Sequence, residues 1–66
     1  MQIQLNGDVM DIADGSTVLN LLETLGMTQG RLAVEVNADI IPRSQHGSTA
    51  LKPGDRVEIV QAIGGG

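Results

Sequence analysis

Met1-Gln2-Ile3-Gln4-Leu5-Asn6-Gly7-Asp8-Val9-Met10-Asp11-Ile12 decides how the rest of the chain is read. Met1, Ile3 and Leu5 alternate with Gln2, Gln4 and Asn6, the period of two of a strand with one face buried. Asn6-Gly7 follows, a strong hairpin signal, because both central positions of a type I′ turn need a positive φ. Met10 and Ile12 then flank Asp11 and predict a second, antiparallel strand. Asp14-Gly15 breaks it. Ser16 or Thr17 is placed to cap a helix, since a hydroxyl there accepts from a free backbone N–H. Val18, Leu21, Leu22 and Leu25 recur at spacings of three and four, one apolar stripe. Gly26 is the natural stop. The chain therefore opens with a hairpin and lays a short helix on it.

Working outward, Leu32, Val34 and Val36 alternate with Ala33, Glu35 and Asn37 and predict a third strand. Asn37-Ala38-Asp39 reads as a turn, and Ile40-Ile41 as a short strand that Pro42 ends or confines to a sheet edge. Residues 43–50 are small and polar, a loop with room for a helical turn. Lys52-Pro53-Gly54-Asp55 has the proline and glycine order of a type II turn. The last strand starts at Arg56 and runs to about Ile63. Along it Val57 and Ile59 should face the core, with Glu58 and Val60 turned away. The order β-β-α-β-β-β, with one helix against a mixed sheet, fits a two-layer α+β domain. No internal repeat or boundary interrupts it. Residues 1–63 read as one domain, and Gly64-Gly65-Gly66 as a flexible tail.

Composition narrows the function. Sixty-six residues make a single small domain of marginal stability. The hydrophobic fraction is 41%, all of it aliphatic or methionine, enough for a core and too much for disorder. Without cysteine there is no disulfide, thiolate metal site or thiol nucleophile. The net charge is −4, and Arg31, Arg43, Lys52 and Arg56 are scattered. Lacking a basic stripe and any aromatic ring, the chain is a poor fit to nucleic acid. No apolar run approaches the roughly 20 residues of a membrane span. Met1-Gln2-Ile3-Gln4 lacks the basic start of a signal peptide, so the cytoplasm is the expected location.

Few side chains offer chemistry. His46 stands alone, without a nucleophile or orienting group to make it a catalytic base, and is read as a loop residue. Asp8, Asp11 and Asp14 lack the spacing of a calcium loop and are read as solvated charges. Met1, Met10 and Met27 are expected to fill gaps in the core. The terminal glycines are no phosphate loop, because no helix follows them. What remains is the carboxylate of Gly66, held on three residues without side chains and directly after an apolar strand.

The residues Met1-Gln2-Ile3, Gly15-Ser16-Thr17-Val18 with Leu21-Leu22, Val36-Asn37, Ile41-Pro42-Arg43, Gly54-Asp55-Arg56-Val57-Glu58-Ile59 and Gln61-Ala62-Ile63-Gly64-Gly65-Gly66 together resemble the ThiS family of sulfur carriers. The resemblance covers essentially the whole chain. It implies the β-grasp, or ubiquitin-like, fold: a mixed five-stranded sheet with one main helix on one face, its first and last strands side by side in the middle. It also implies a protein co-substrate, not an enzyme, in thiamin thiazole synthesis.

In such a carrier, a ThiF-like adenylyltransferase would activate the Gly66 carboxylate with ATP. A sulfur donor such as a cysteine desulfurase would then convert the adenylate to a thiocarboxylate. A ThiG-like thiazole synthase would take up the sulfur. No cofactor or metal is expected on the carrier itself. Gly64 and Gly65 would thread the tail into partner active sites, and Val60, Ala62 and Ile63 would dock the domain. Arg43 is a further candidate for pairing with an acidic partner, or a solvated charge. Two related readings stay open: a MoaD-like carrier for molybdopterin synthesis, and a ubiquitin-like modifier joined to lysine. The plain alternative is an interaction module whose glycines are a linker.

Overall fold

The computed structural model describes residues 1–61; Ala62, Ile63 and the three glycines lie outside the described residues. Strand β1 (Gln2–Leu5) turns through Asn6 and Gly7 into β2 (Asp8–Asp11). Both turn residues have positive φ, 49° and 88°, as a type I′ hairpin requires. The pairing sets Ile3 opposite Met10 and Gln4 opposite Val9.

Helix α1 (Val18–Leu25) begins at Thr17. Its hydroxyl accepts from Asn20 N–H at 3.1 Å, while Asn20 Oδ1 accepts from Thr17 N–H at 3.0 Å. This reciprocal pair satisfies two donors that the first turn leaves free. Gly26 closes the helix in the left-handed conformation, φ 70°. The buried stripe is Val18, Leu21 and Leu22, and Leu25 is half-buried against the same core.

Strand β3 (Leu32–Val36) and the short β4 (Asp39–Ile41) form a second two-residue hairpin. Asn37 and Ala38 make its turn with φ of 52° and 72°. A 3₁₀ turn over Arg43–Gln45 follows Pro42. Gly54 takes φ 83° in the next turn, where Asp55 N–H donates to the Lys52 carbonyl at 3.1 Å, matching the type II expectation.

Strand β5 (Arg56–Gln61) completes a five-stranded sheet of order β2-β1-β5-β3-β4. It runs parallel to β1 and antiparallel to β3. The first and last strands are thus neighbours in the middle, as the β-grasp resemblance implies. The core lies between α1 and one face of the sheet: Ile3, Val34, Val57 and Ile59 meet Val18, Leu21, Leu22 and Leu51. Met1, Met10 and Met27 pack around this cluster as gap-fillers. Among the described residues, the opposite face of the sheet carries no helix. No helix among the described residues is long and apolar enough to cross a membrane.

Candidate functional site

Everything that could aim the end of the chain acts through β5. Its pairing with β1 covers only two residue pairs, Gln4 with Arg56 and Leu5 with Val57. Beyond Leu5 the backbone of β1 turns away, and the side chain of Asn6 takes over. Asn6 N–H donates to the Val57 carbonyl at 2.9 Å. The side-chain amide of Asn6 then accepts from Ile59 N–H at 2.9 Å and donates to the Ile59 carbonyl at 3.3 Å. One side-chain amide so replaces one more residue of strand.

Asn37 does the corresponding work on the other flank. Its backbone N–H donates to the Arg56 carbonyl at 2.7 Å, and its Oδ1 accepts from Arg56 N–H at 3.0 Å. Its Nδ2 reaches Asp55 Oδ1 at 3.0 Å. Two asparagines in left-handed turn positions therefore hold β5 from both sides. Asparagine tolerates that backbone, and its short amide can reach a neighbouring chain.

Alternation along β5 follows the expected pattern. Val57 and Ile59 are buried, whereas Glu58 is exposed and Val60 is 62% exposed. Val60 faces Ala33 across β3. Gly30, Arg31, Leu32 and Arg43 join these two residues around a shallow concavity at the end of β5. The other expected docking residues, Ala62 and Ile63, the threading residues Gly64 and Gly65, and Gly66 with its carboxylate lie outside the described residues.

Other sequence candidates resolve individually. Arg43 is exposed but is more than a solvated charge: its Nη2 donates to the Gly30 carbonyl at 3.0 Å, tying the 3₁₀ turn to the start of β3. His46 is in the loop, as read, yet only 6% exposed. Its Nε2 donates to the Ile41 carbonyl at 3.1 Å, so it braces β4 from beneath. Asp8 and Asp11 are exposed, while Asp14 pairs with the amino group of Met1 at 3.0 Å. No group of three or more His, Asp or Glu among the described residues could hold a metal ion.

Among the described residues, a five-stranded mixed sheet, one α-helix on one face and a central β5 between β1 and β3 define a β-grasp protein of the ubiquitin-like type. The model of the ThiS family matches residues 3–66, and the chain belongs to that family. The sulfur carrier protein ThiS of Escherichia coli K12 is 39% identical over 66 residues, 100% of both chains. The thiazole synthase of Paramagnetospirillum magneticum is also 39% identical over 66 residues, but here the chain spans only 20% of the relative's length. The thiazole synthase of Magnetococcus marinus repeats that relation at 38% identity and 20% of its length. Among solved structures, the crystal structure of thiamine biosynthesis protein ThiS from Geobacter metallireducens superposes with a TM-score of 0.85 at 32% identity, covering 100% of each chain.

Proposed function

We propose that this protein is a sulfur carrier for the thiazole ring of thiamin, a co-substrate on which other enzymes act. The observation that carries the reading is its end-to-end match with a sulfur carrier of the same length. The central place of β5 supports it as well, because the glycines follow that strand in the sequence after Ala62 and Ile63.

A carboxylate is a poor electrophile until its oxygen becomes part of a good leaving group. A ThiF-like partner would join the Gly66 carboxylate to the α-phosphate of ATP, releasing pyrophosphate. The outer sulfur of a persulfide donor, such as that of a cysteine desulfurase, would then attack the acyl carbon and expel AMP, and a second thiol would cleave the resulting acyl disulfide, leaving as a disulfide with the donor. The product, a thiocarboxylate, is nucleophilic at sulfur yet remains covalently held. A ThiG-like thiazole synthase would pass the sulfur to its substrate, and the acyl carbon would take an oxygen from that substrate or from water, restoring the carboxylate. Two proteins named thiazole synthase align with this whole chain over 20% of their own length, which supports a thiazole synthase as that last partner.

In this reading residues 1–63 are the handle and residues 64–66 the tail. Three glycines extend about 10 Å. Without Cβ atoms they fit a narrow channel and accept any φ the channel imposes. Ordering them costs roughly 1–2 kcal/mol per residue. Docking through Val60, Ala62 and Ile63 would offset that cost.

The test is intact mass spectrometry after incubation with ATP, the adenylating enzyme and a sulfur source. The reading expects a mass gain equal to one oxygen-to-sulfur exchange, located by fragmentation at Gly66. No gain with a partner shown to be active on another carrier would overturn it.

A further inference from the structure

Asn6-Gly7 carries a reactivity that its role as a hairpin turn does not use. The backbone nitrogen after an asparagine can attack that asparagine's side-chain amide, and glycine eases the attack because it has no Cβ to crowd the nitrogen. Asn6 is the one asparagine of this chain followed by glycine; Asn20 precedes Leu21 and Asn37 precedes Ala38. The turn is open to water. Asn6, Gly7 and Asp8 are exposed, and nothing lies within 4 Å of where a Cβ on Gly7 would stand. Gly7 N–H also stays out of the β1–β2 ladder, which closes at Leu5 and Asp8.

Against this exposure stands the grip of Ile59. Its N–H donates to Asn6 Oδ1 at 2.9 Å, and its carbonyl accepts from Asn6 Nδ2 at 3.3 Å. Both polar atoms of the amide are thereby committed to β5. Attack needs the amide carbon to turn onto the Gly7 nitrogen and become tetrahedral, and that breaks both bonds. The reactive dipeptide is thus locked by a residue 53 positions away.

We propose that Asn6 is a deamidation site that a seated β5 keeps shut. When β5 lifts, the Gly7 nitrogen loses its proton to hydroxide and bonds to Cγ of Asn6. The Cγ–Nδ2 bond breaks, and the nitrogen takes up a proton from water and leaves as ammonia. Water then opens the five-membered imide at one carbonyl or the other, giving aspartate or its β-linked isomer. The net change is amide plus water to carboxylate plus ammonium, with no oxidant or reductant.

The change feeds on itself. A carboxylate at position 6 has no N–H to offer the Ile59 carbonyl and sets an anion against it. The β-linked isomer also lengthens the main chain of a two-residue turn, which disturbs the pairing of Leu5 with Asp8. Either product seats β5 less firmly. The lesion therefore records that β5 has left its place, and it does not depend on the carrier reading.

The test is mass spectrometry with peptide mapping of the full chain, incubated in mildly alkaline buffer with and without urea. Asn6 should convert about tenfold or more slowly in the folded chain, since reaction waits on an opening with its own free energy cost. Val57→Ala keeps the dipeptide but removes packing from a residue that is 1% exposed. It should convert faster than the folded wild type, in step with amide exchange at Ile59 N–H; if it does not fold, its rate should match that in urea. Isomerisation at Asp14-Gly15 leaves the mass unchanged and is not counted. The purified aged chain and Asn6→Asp should both melt below the wild type and lose protection at Ile59 N–H. Equal rates in buffer and urea overturn the proposal, as does earlier conversion of Asn20 or Asn37. An aged chain with wild-type melting and wild-type protection at Ile59 overturns it too.

Discussion

The side-chain amide of Asn6 makes both hydrogen bonds that a strand residue would make to Ile59, across 53 residues of sequence. Asn6 therefore ends one strand and extends another's partner at once. The six residues of β5 keep a neighbour on the β1 side for longer than the two-residue ladder alone provides.

Replacing Asn6 by alanine should cost about 1–3 kcal/mol, because a part-buried N–H and carbonyl lose their partners together. For a domain of this size each kcal/mol lowers the melting temperature by about 4–8 °C. The site-specific readout is amide exchange. Ile59 N–H should lose protection beyond the global change, while Val34 N–H should follow the global change alone. Equal loss at both positions would refute the local role.

Ala38 occupies a left-handed position, φ 72°, that glycine prefers. Its side chain is exposed. Ala38→Gly should therefore raise stability by about 1 kcal/mol, since relief of the left-handed penalty outweighs the added freedom of the unfolded chain. Urea denaturation would show the midpoint rising with an unchanged slope. A lower midpoint would mean the turn is not strained.

Glu58→Lys should stabilise the free domain by at most a few tenths of a kcal/mol, because relief of the repulsion from Glu35 on an exposed face is partly offset by a new like charge beside Arg56. The gain should shrink in high salt. Thermal melting at two ionic strengths measures both. A lowered melting temperature at low salt would show that Glu35 and Glu58 do not repel.

Val60→Asp and Val57→Asp are expected to fail differently, although the residues lie three apart on one strand. Val57 is 1% exposed, so an unpaired carboxylate there should prevent folding. Val60→Asp should fold with a melting temperature within a few degrees of the wild type and, in the carrier reading, lose affinity for the enzymes that would act on the tail. Circular dichroism combined with a binding assay separates the two. Normal binding by Val60→Asp would remove Val60 from the docking surface.

Local signals were legible where the physics is local. Asn6-Gly7, Lys52-Pro53-Gly54-Asp55 and the stripe Val18, Leu21, Leu22 each state their own conformation. The outward direction of Val60 follows from simple alternation with Val57 and Ile59. The resemblance, not periodicity, supplied the central pairing of β1 with β5. Four features were hidden. Asn20 completes the helix cap although asparagine is shorter than the usual glutamate or glutamine at that position. Leu51 and His46 are buried from within a polar stretch, with no repeating neighbour to betray them. The second task of Asn6 depends on a partner far along the chain. The alignment of Glu35 with Glu58 depends on the register between β3 and β5, which no single segment encodes. Of the candidate site, Val60 is placed, while Ala62, Ile63 and Gly64 to Gly66 fall outside the described residues.

The position of β5 between β1 and β3 makes the domain its own inspector. Removing it leaves two separate hairpins, β1–β2 and β3–β4, that share no ladder. A chain stopped at Asp55 is therefore expected to show no cooperative melting and rapid proteolysis; a folded fragment would contradict this. An enzyme that recognises the finished sheet face then meets only molecules whose last strand has been made and seated. In the carrier reading, unfinished copies would offer an activating enzyme nothing to recognise.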